Sequence, residues 1–440
     1  MSSVVLTRIE IDGFKTFKDF ALDVPPFLVV LGQNASGKSN LFDAIAFLAR
    51  LAQGESVMKA VRDDRAQLHE LLHRDSSGSI VDAIRFAVEL TGVVPTETVT
   101  KAVVRFEVDL RVPQGTSEPF GSSSAGALVI ADERWFIAGP GADGDHVTWS
   151  QLTYTPVGET PEDEATSRRF PSSKAFRPDV IRSAEGERGV SFTNAVIGAA
   201  RKQLAGWRVL APEPSALRLS DGFDDDARLS PAGQHLPNAL ARIIAHTRRP
   251  DRPQGVLSDL AADLIDIVPD VVGLRVDDDQ VRRLRTVLVR TRGRSEYSAS
   301  AASDGTLRAL ALLVALRDPQ ENGLVCLEEP ENGVYPHLLM RFIRRIQQWA
   351  RDTESPSARQ IIISSHSPTI LTALTPPSES MPLRDDVIFL DLVSRTASDR
   401  VVSRVSRIRA VRTGAPLTPD VPLPVVSMAE LDDFLLRGTP

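Results

Sequence analysis

The residues from Gly32 to Ser39 read GQNASGKS, which has the G-x-x-x-x-G-K-S spacing of a phosphate-binding loop. The glycines let successive backbone N–H groups face a phosphate, and a helix starting near Lys38 adds its positive end. We expect Lys38 to be solvated without nucleotide and to give its charge to the phosphates, while the Ser39 hydroxyl coordinates Mg²⁺. The residues predicted to form this nucleoside triphosphate site are Gly32, Gln33, Asn34, Ala35, Ser36, Gly37, Lys38, Ser39 and Asn40.

An acidic pair follows a second apolar strand, in the sequence LVCLEEPE. Glu328 is placed to bind Mg²⁺ directly or through water, and Glu329 to orient and deprotonate the attacking water. Two adjacent acids after a strand more often form only a solvated strand end. The upstream phosphate loop favours the functional interpretation.

A third strand, IIISSHSP, delivers Ser364, Ser365 and His366 to the same edge of the predicted sheet. A single histidine at a strand end is commonly an ordinary polar residue. Because it follows the acidic pair, we predict that His366 hydrogen-bonds the γ-phosphate and senses its state, and that it is not the main base.

The sequence SDGT precedes the strongly helical LRALALLVAL. Ser303, Asp304, Gly305 and Thr306 would place hydroxyls and a glycine at a helix N-terminus, where an anion can approach closely. A plain helix cap by Ser303 or Asp304 is the alternative.

Local patterns predict the elements that carry these residues. Alternating apolar residues predict strands from Val4, a buried strand over 27–31 and helices over 41–52 and 55–73. Short alternating runs over about 79–159 predict an antiparallel β-rich lobe, followed by a loop over 156–191. From 205 onward helices and strands alternate, which is typical of a parallel sheet covered by helices, so the fold class is α/β.

Composition is that of a soluble chain: 42% of its 440 residues are hydrophobic, and the formal net charge is −7. This charge argues against a surface that is entirely a nucleic-acid clamp. No apolar run approaches the roughly 20 residues that a membrane span needs, and the one cysteine, Cys326, lies in a core-like run. We expect a cytoplasmic protein with no membrane partner.

The motifs, in this order, resemble the stand-alone ATPases of the ABC/SMC/RecF superfamily, which includes the ATPase part of OLD proteins. The resemblance covers about residues 4–55 and 205–395 and implies a P-loop ATPase head with a mixed sheet flanked by helices. It does not cover the inserted β-rich lobe, which the alternating runs predict. It implies ATP and Mg²⁺ as ligands, with Glu328 as the Walker B acid, Glu329 as the catalytic glutamate and His366 as the switch histidine. The implied domains are 1–78 and 205–440 for the head and 79–204 for the lobe and loop.

The resemblance also implies that Ser303–Thr306 are the signature motif, which completes the nucleotide site of a second subunit across a head-to-tail homodimer. The sequence departs from the family pattern in three places. SDGT stands where ABC proteins usually have SGG, Glu328 stands where Asp is commoner, and Tyr335 stands where relatives often have His.

The leading functional hypothesis is an ATP-dependent dimerising switch in DNA repair or phage defence that engages DNA or a separate effector protein. The alternative is a regulatory ATPase directed only at proteins, with the lobe as docking surface, and a transporter ATPase is a distant third. The segment after 368 predicts closing strands and a short helix, which does not fit the TOPRIM nuclease of OLD proteins. Candidate DNA contacts, or simply solvated charges, are Arg282, Arg283, Arg285, Arg290, Arg292, Arg294, Arg341, Arg344 and Arg345.

Overall fold

A computed structural model describes residues 4–62, 68–94, 100–112, 128–140, 147–153, 186–293, 296–321, 323–351, 359–367, 369–374, 383–396, 402–412, 424–427, 430 and 433. Positions 156–185 of the predicted loop are not among these residues. Arg294 and most of the predicted C-terminal helix also lie outside them.

The strands are β1 (Val4–Asp12), β2 (Phe20–Asp23), β3 (Phe27–Leu31), β4 (Ala83–Val94), β5 (Thr100–Arg111), β6 (Val129–Pro140), β7 (Val147–Thr153), β8 (Arg208–Leu210), β9 (Asp221–Gly222), β10 (Val271–Asp279), β11 (Leu284–Thr291), β12 (Tyr297–Ser298), β13 (Val325–Glu328), β14 (Ile361–Ser365), β15 (Leu383–Thr396), β16 (Val402–Arg412) and β17 (Val425–Val426). The helices are α1 (Lys38–Ala52), α2 (Val57–Arg62), α3 (Leu68–Leu71), α4 (Gly186–Ala205), α5 (Pro214–Leu217), α6 (Leu236–Thr247), α7 (Leu257–Ile267), α8 (Asp304–Arg317), α9 (Pro336–Arg351) and α10 (Thr369–Ala373). Among the described residues, no helix has the length and apolar composition needed to cross a membrane.

The chain divides into two compact units. The first comprises Met1–Pro25, Gly32–Trp207 and Phe389–Arg409, and the second comprises Pro26–Leu31, Arg208–Ile388 and Ala410–Pro440.

In the first unit, a six-stranded antiparallel sheet has the order β2-β1-β4-β5-β6-β7. One face buries Phe86, Phe106 and Trp135, because these side chains alternate with polar ones along the strands. The strands of the predicted lobe are antiparallel, as expected, but its first strand, β4, pairs with β1 from Arg85 to Gly92. The predicted boundary at residue 79 therefore falls within one continuous sheet.

Helix α4 contacts strands of this sheet and α1. Its apolar residues Val196, Ile197, Ala200 and Leu204 are buried and recur at helical spacing. The sequence reading of a loop to residue 191 is therefore wrong for the last six residues, which belong to this helix.

In the second unit, four short strands run parallel in the order β3-β14-β13-β8. Strands β3 and β14 are buried at every position, which explains their uninterrupted apolar sequences. The predicted strand over 27–31 and the predicted α/β class are confirmed. A second, small antiparallel sheet contains β10, β11, β12 and β9.

A buried carboxylate joins three helices of the second unit. Asp263 on α7 is 1% exposed and accepts hydrogen bonds from Arg317 on α8 and Arg345 on α9. The two guanidinium groups also lie over the ring of Trp349. Helices α8 and α9, which flank the acidic strand in the chain, are thus tied to the same residue.

Candidate nucleotide-binding site

The phosphate loop follows β3 directly and leads into α1, as predicted. Gly37 is the residue before the helix and has a φ of 104°, and a Cβ there would lie 2.2 Å from the Ser406 Oγ. Only glycine fits this backbone. The first turn of α1 carries no acidic residue and no side-chain cap, so its N–H groups are suited to an anion.

Lys38 is only 6% exposed, so the expectation of a solvated side chain was wrong. Its amine donates hydrogen bonds to the carbonyl oxygens of Gly32, at 2.7 Å, and Gln33, at 2.9 Å. The loop carbonyls point toward the Lys38 ammonium group and replace the water that this group loses on burial. The loop thus encloses a positive charge within its curve.

A line of side chains outside the motif supports the loop. Asn40 Nδ2 donates to Thr16 Oγ1 at 2.8 Å, Thr16 and Ser406 hydroxyls lie 2.7 Å apart, and Ser406 Oγ donates to the Ser36 carbonyl. Since Ser406 uses its proton on Ser36, Thr16 donates to Ser406, and every member is satisfied. Sequence reasoning missed Thr16 and Ser406, which stand 390 positions apart.

One hydroxyl in the loop has no such support. Ser36 Oγ is buried and makes no hydrogen bond to any residue that the structure describes. A buried polar atom without a partner is costly and is commonly satisfied by a ligand or water. Together with the buried amine and the helix N-terminus, it makes the loop suitable for a phosphate oxygen.

The predicted acidic pair and histidine meet in the second unit. Glu328 is the last residue of β13 and lies in register with Ser364 of β14. Glu329 has a φ of 43°, its N–H donates to the Ser364 carbonyl, and its Oε1 lies 3.2 Å from His366 Nδ1. The other carboxylate oxygen accepts a hydrogen bond from Asn332 Nδ2 at 3.0 Å. The structure thus holds Glu329 from two sides.

Glu331, which the sequence reading passed over, is a second carboxylate beside His366. Its Oε1 accepts hydrogen bonds from Ser365 Oγ at 2.5 Å and from the His366 N–H at 3.1 Å. Burial raises the pKa of the Glu331 carboxyl, although these hydrogen bonds act in the opposite direction. The third glutamate of the sequence EEPE is the feature from which Glu331 could have been predicted as a site residue.

The predicted anion-facing helix start is α8, and Ser303 is its cap. Ser303 Oγ accepts from the Thr306 N–H, which decides between the two predicted caps. Arg218 pairs with the Asp304 carboxylate at 2.5 Å and offsets its charge. A Cβ on Gly305 would lie 2.9 Å from the Gly333 carbonyl oxygen, so α8 begins against the turn that follows the acidic pair.

Most of the basic residues singled out in the sequence have partners. Arg283 pairs with Asp224, and Arg285 pairs with Asp278 and also donates to Asn238. In α9, Arg341 and Arg344 donate to the backbone carbonyls of Asp266 and Ala373. Arg345 donates to the Asp263 carboxylate.

Residues 27–122 and 160–372 match the family described as AAA domain, putative AbiEii toxin, Type IV TA system. The chain belongs to this family. The resemblance to stand-alone ABC/SMC-like ATPases is thereby confirmed, and this AAA-domain protein is a P-loop ATPase by family. The matched segments contain the phosphate loop, the signature segment, the acidic pair and His366.

Individual proteins similar to this AAA-domain protein carry SMC names. A 63-residue segment, 14% of the chain, is 43% identical to the chromosome partition protein Smc of Methanocaldococcus jannaschii and spans 5% of that protein. Two solved structures are also similar. The Smc head bound to the C-winged helix domain of ScpA matches with 13% identity and a TM-score of 0.49, covering 93% of this chain and 98% of that one. The SMC head domain from Thermotoga maritima matches with 12% identity and a TM-score of 0.43, covering 93% and 100%.

Proposed function

We propose that this chain binds ATP at the loop from Gly32 to Asn40 and hydrolyses it to ADP and phosphate. The observation that carries the proposal is the buried Lys38 amine, hydrogen-bonded to two carbonyls of a loop that opens into an uncapped helix N-terminus. The Gly32 and Gln33 carbonyls orient the amine within the loop, and its positive charge then serves the phosphates of a nucleotide.

The other predicted residues have distinct roles in this reaction. Glu329 accepts the proton of the attacking water, and His366 hydrogen-bonds the γ-phosphate while its Nδ1 faces Glu329. The hydroxyl of Ser39 and the carboxylate of Glu328 would hold Mg²⁺, because hard oxygen donors suit this ion. When bound, Mg²⁺ neutralises charge that develops on the phosphate oxygens.

The signature segment extends the proposal to a dimerising switch. Ser303 and Asp304 are exposed at the start of α8, and Arg218 neutralises the one acid there. These features favour contact with the γ-phosphate bound by a second copy in a head-to-tail homodimer. ATP would then join two chains, and hydrolysis would release them.

The switch would act on DNA or on an effector protein, in DNA repair or phage defence. The pairing of Arg283 and Arg285 with aspartates leaves less positive charge for nucleic acid. This observation favours the second candidate, a regulatory ATPase directed only at proteins. Fluorescence anisotropy with duplex and single-stranded DNA, at low and moderate salt, separates the two, because phosphate contacts weaken steeply with salt.

The decisive experiment uses Glu329→Gln. We expect this variant to bind ATP and to hydrolyse it about a hundredfold more slowly, because it lacks the base. Light scattering should show an ATP-dependent gain of dimeric mass, or of larger assemblies if the resting state is already dimeric. Adding Ser303→Arg should abolish this gain by blocking the anion's approach to α8.

Glu296→Gln is the matched control, since Glu296 is a partly exposed carboxylate paired with Arg275 in the same unit. It should behave as wild type in both assays. Wild-type turnover in Glu329→Gln would refute the assignment of the base. Slow turnover with ATP bound but no change in association would refute the shared site.

A further inference from the structure

Glu331 has an arrangement that its position in the chain does not explain. It follows the acidic pair by two residues, at the start of an exposed turn, yet its side chain is only 9% exposed. Acids at turns are normally solvated, and a buried carboxylate needs compensating hydrogen bonds. Its partners therefore indicate why it is buried.

In the described part of the chain, both hydrogen bonds that other residues donate to the Glu331 side chain end on one oxygen. Glu331 Oε1 accepts from the Ser365 hydroxyl and from the His366 backbone N–H, and Ser365 Oγ in turn accepts from the Ser367 N–H. Glu331 Oε2 is buried and makes no hydrogen bond within the described part of the chain. One carboxylate oxygen thus holds Ser365, the last residue of β14, and His366 directly, and Ser367 through the Ser365 hydroxyl.

This fixed segment determines where the His366 ring lies. His366 Nδ1 is 3.2 Å from Glu329 Oε1 and 3.6 Å from Glu331 Oε1, while the side chain remains 41% exposed. A half-exposed ring has rotamer freedom unless its backbone and one nitrogen are held. Here Glu331 holds the backbone and Glu329 faces the nitrogen.

We propose that Glu331 is a positioning residue for His366, acting through the backbone N–H of His366 and the hydroxyl of Ser365. The inference rests on the proposed ATPase function for its kinetic consequence. The placement of the His366 imidazole by Glu331 does not depend on that function.

The experiment uses the full chain with Glu331→Ala, Glu331→Gln, His366→Ala and the double variant Glu331→Ala/His366→Ala. We expect Glu331→Ala to lower kcat about tenfold with KM within about twofold, since the histidine loses its placement. Glu331→Gln retains the accepting oxygen and should keep most of the activity. The double variant should be no slower than His366→Ala alone, because Glu331 acts through that residue.

Two kinetic results would overturn the proposal. Losses that multiply in the double variant would show that Glu331 acts independently of His366. A Glu331→Gln variant as slow as Glu331→Ala would show that the charge matters and not the accepted hydrogen bonds. If Glu331→Ala fails to fold, Ser365→Ala is the substitute, because it removes one donor and leaves Glu331 and His366 unchanged. We expect it to lower kcat by a smaller factor, about threefold.

A readout that needs no turnover separates this inference from the ATPase proposal. In protein labelled with ¹⁵N-histidine, the imidazole signal missing from His366→Ala identifies His366. That signal should shift in Glu331→Ala and stay close to its wild-type position in Glu331→Gln. An unchanged signal in folded Glu331→Ala would overturn the positioning role, whereas wild-type protein without ATP turnover would refute only the proposed function.

Discussion

Ser406 Oγ donates a hydrogen bond to the carbonyl oxygen of Ser36 over 3.0 Å, so a strand near the end of the chain supports the phosphate loop near its beginning. The same hydroxyl accepts a hydrogen bond from the Thr16 hydroxyl, which in turn accepts one from Asn40 Nδ2. The loop is therefore held by hydroxyl groups from outside its own motif. Its curvature depends on them as well as on its glycines.

Replacing Ser406 by Ala should weaken ATP binding about three- to tenfold, because the Ser36 carbonyl and Thr16 hydroxyl lose their shared partner. Isothermal titration with ATP and Mg²⁺ measures the change. Ser403→Ala, three residues earlier on β16, is the matched control and should bind ATP as wild type does. Equal affinities of the Ser406 variant and wild type would show that the loop holds its shape alone.

Lys38→Ala and Lys38→Met should both lose ATP binding by more than about tenfold, because each removes the charge that serves the phosphates. Methionine fills most of the buried space that the lysine stem occupies, so Lys38→Met separates loss of charge from loss of packing. Titration with ATP and a thermal melt of each variant check the result. Unchanged affinity in a folded Lys38→Met protein would contradict the role of the amine.

Asp263→Ala should lower the free energy of unfolding by about 3 kcal/mol, the low end for a broken buried ion pair, because Arg345 is partly exposed. The substitution leaves Arg317 and Arg345 without their shared carboxylate. Urea denaturation measures the loss. Asp266→Ala, at an exposed position of the same helix, should change the value by no more than about 0.5 kcal/mol.

Glu331→Gln should gain stability relative to wild type as the pH rises. Burial raises the pKa of Glu331 in the folded chain above its ordinary value of 4.5. Above that ordinary value the unfolded chain ionises first, so ionisation costs stability, and the cost is complete above the folded pKa. Thermal melts at about pH 4 and about pH 8 should show a more favourable difference for the variant at the higher pH. A difference that is the same at both values would mean that Glu331 titrates normally.

Local sequence patterns predicted the parts of the site that are built from neighbouring residues. The buried run of β3, the glycine spacing of the loop and the cap at Ser303 each follow from a few adjacent positions, and the structure has all three. The burial of Lys38 was not predictable in this way. It depends on the direction of the loop carbonyls, which cannot be inferred from the residue types of the motif.

Long-range pairing explains the remaining differences. Thr16 and Ser406 meet although 390 positions separate them, and single-sequence periodicity carries no information about such pairs. Likewise, local patterns predicted a separate lobe that begins at about residue 79. Since β4 pairs with β1 along the strand, its deletion would expose the backbone of β1.

Strand β3 lies between β14 and β15 in its sheet, and both neighbours come from the last fifth of the sequence. During synthesis on the ribosome, β3, an entirely apolar strand, therefore has no partner strand in its sheet until residue 361 has emerged. Contacts of such long separation fold slowly, and an unpaired apolar strand is prone to aggregate. The nascent chain is thus a candidate for chaperone protection, and raising the rate of expression should reduce the yield of soluble protein.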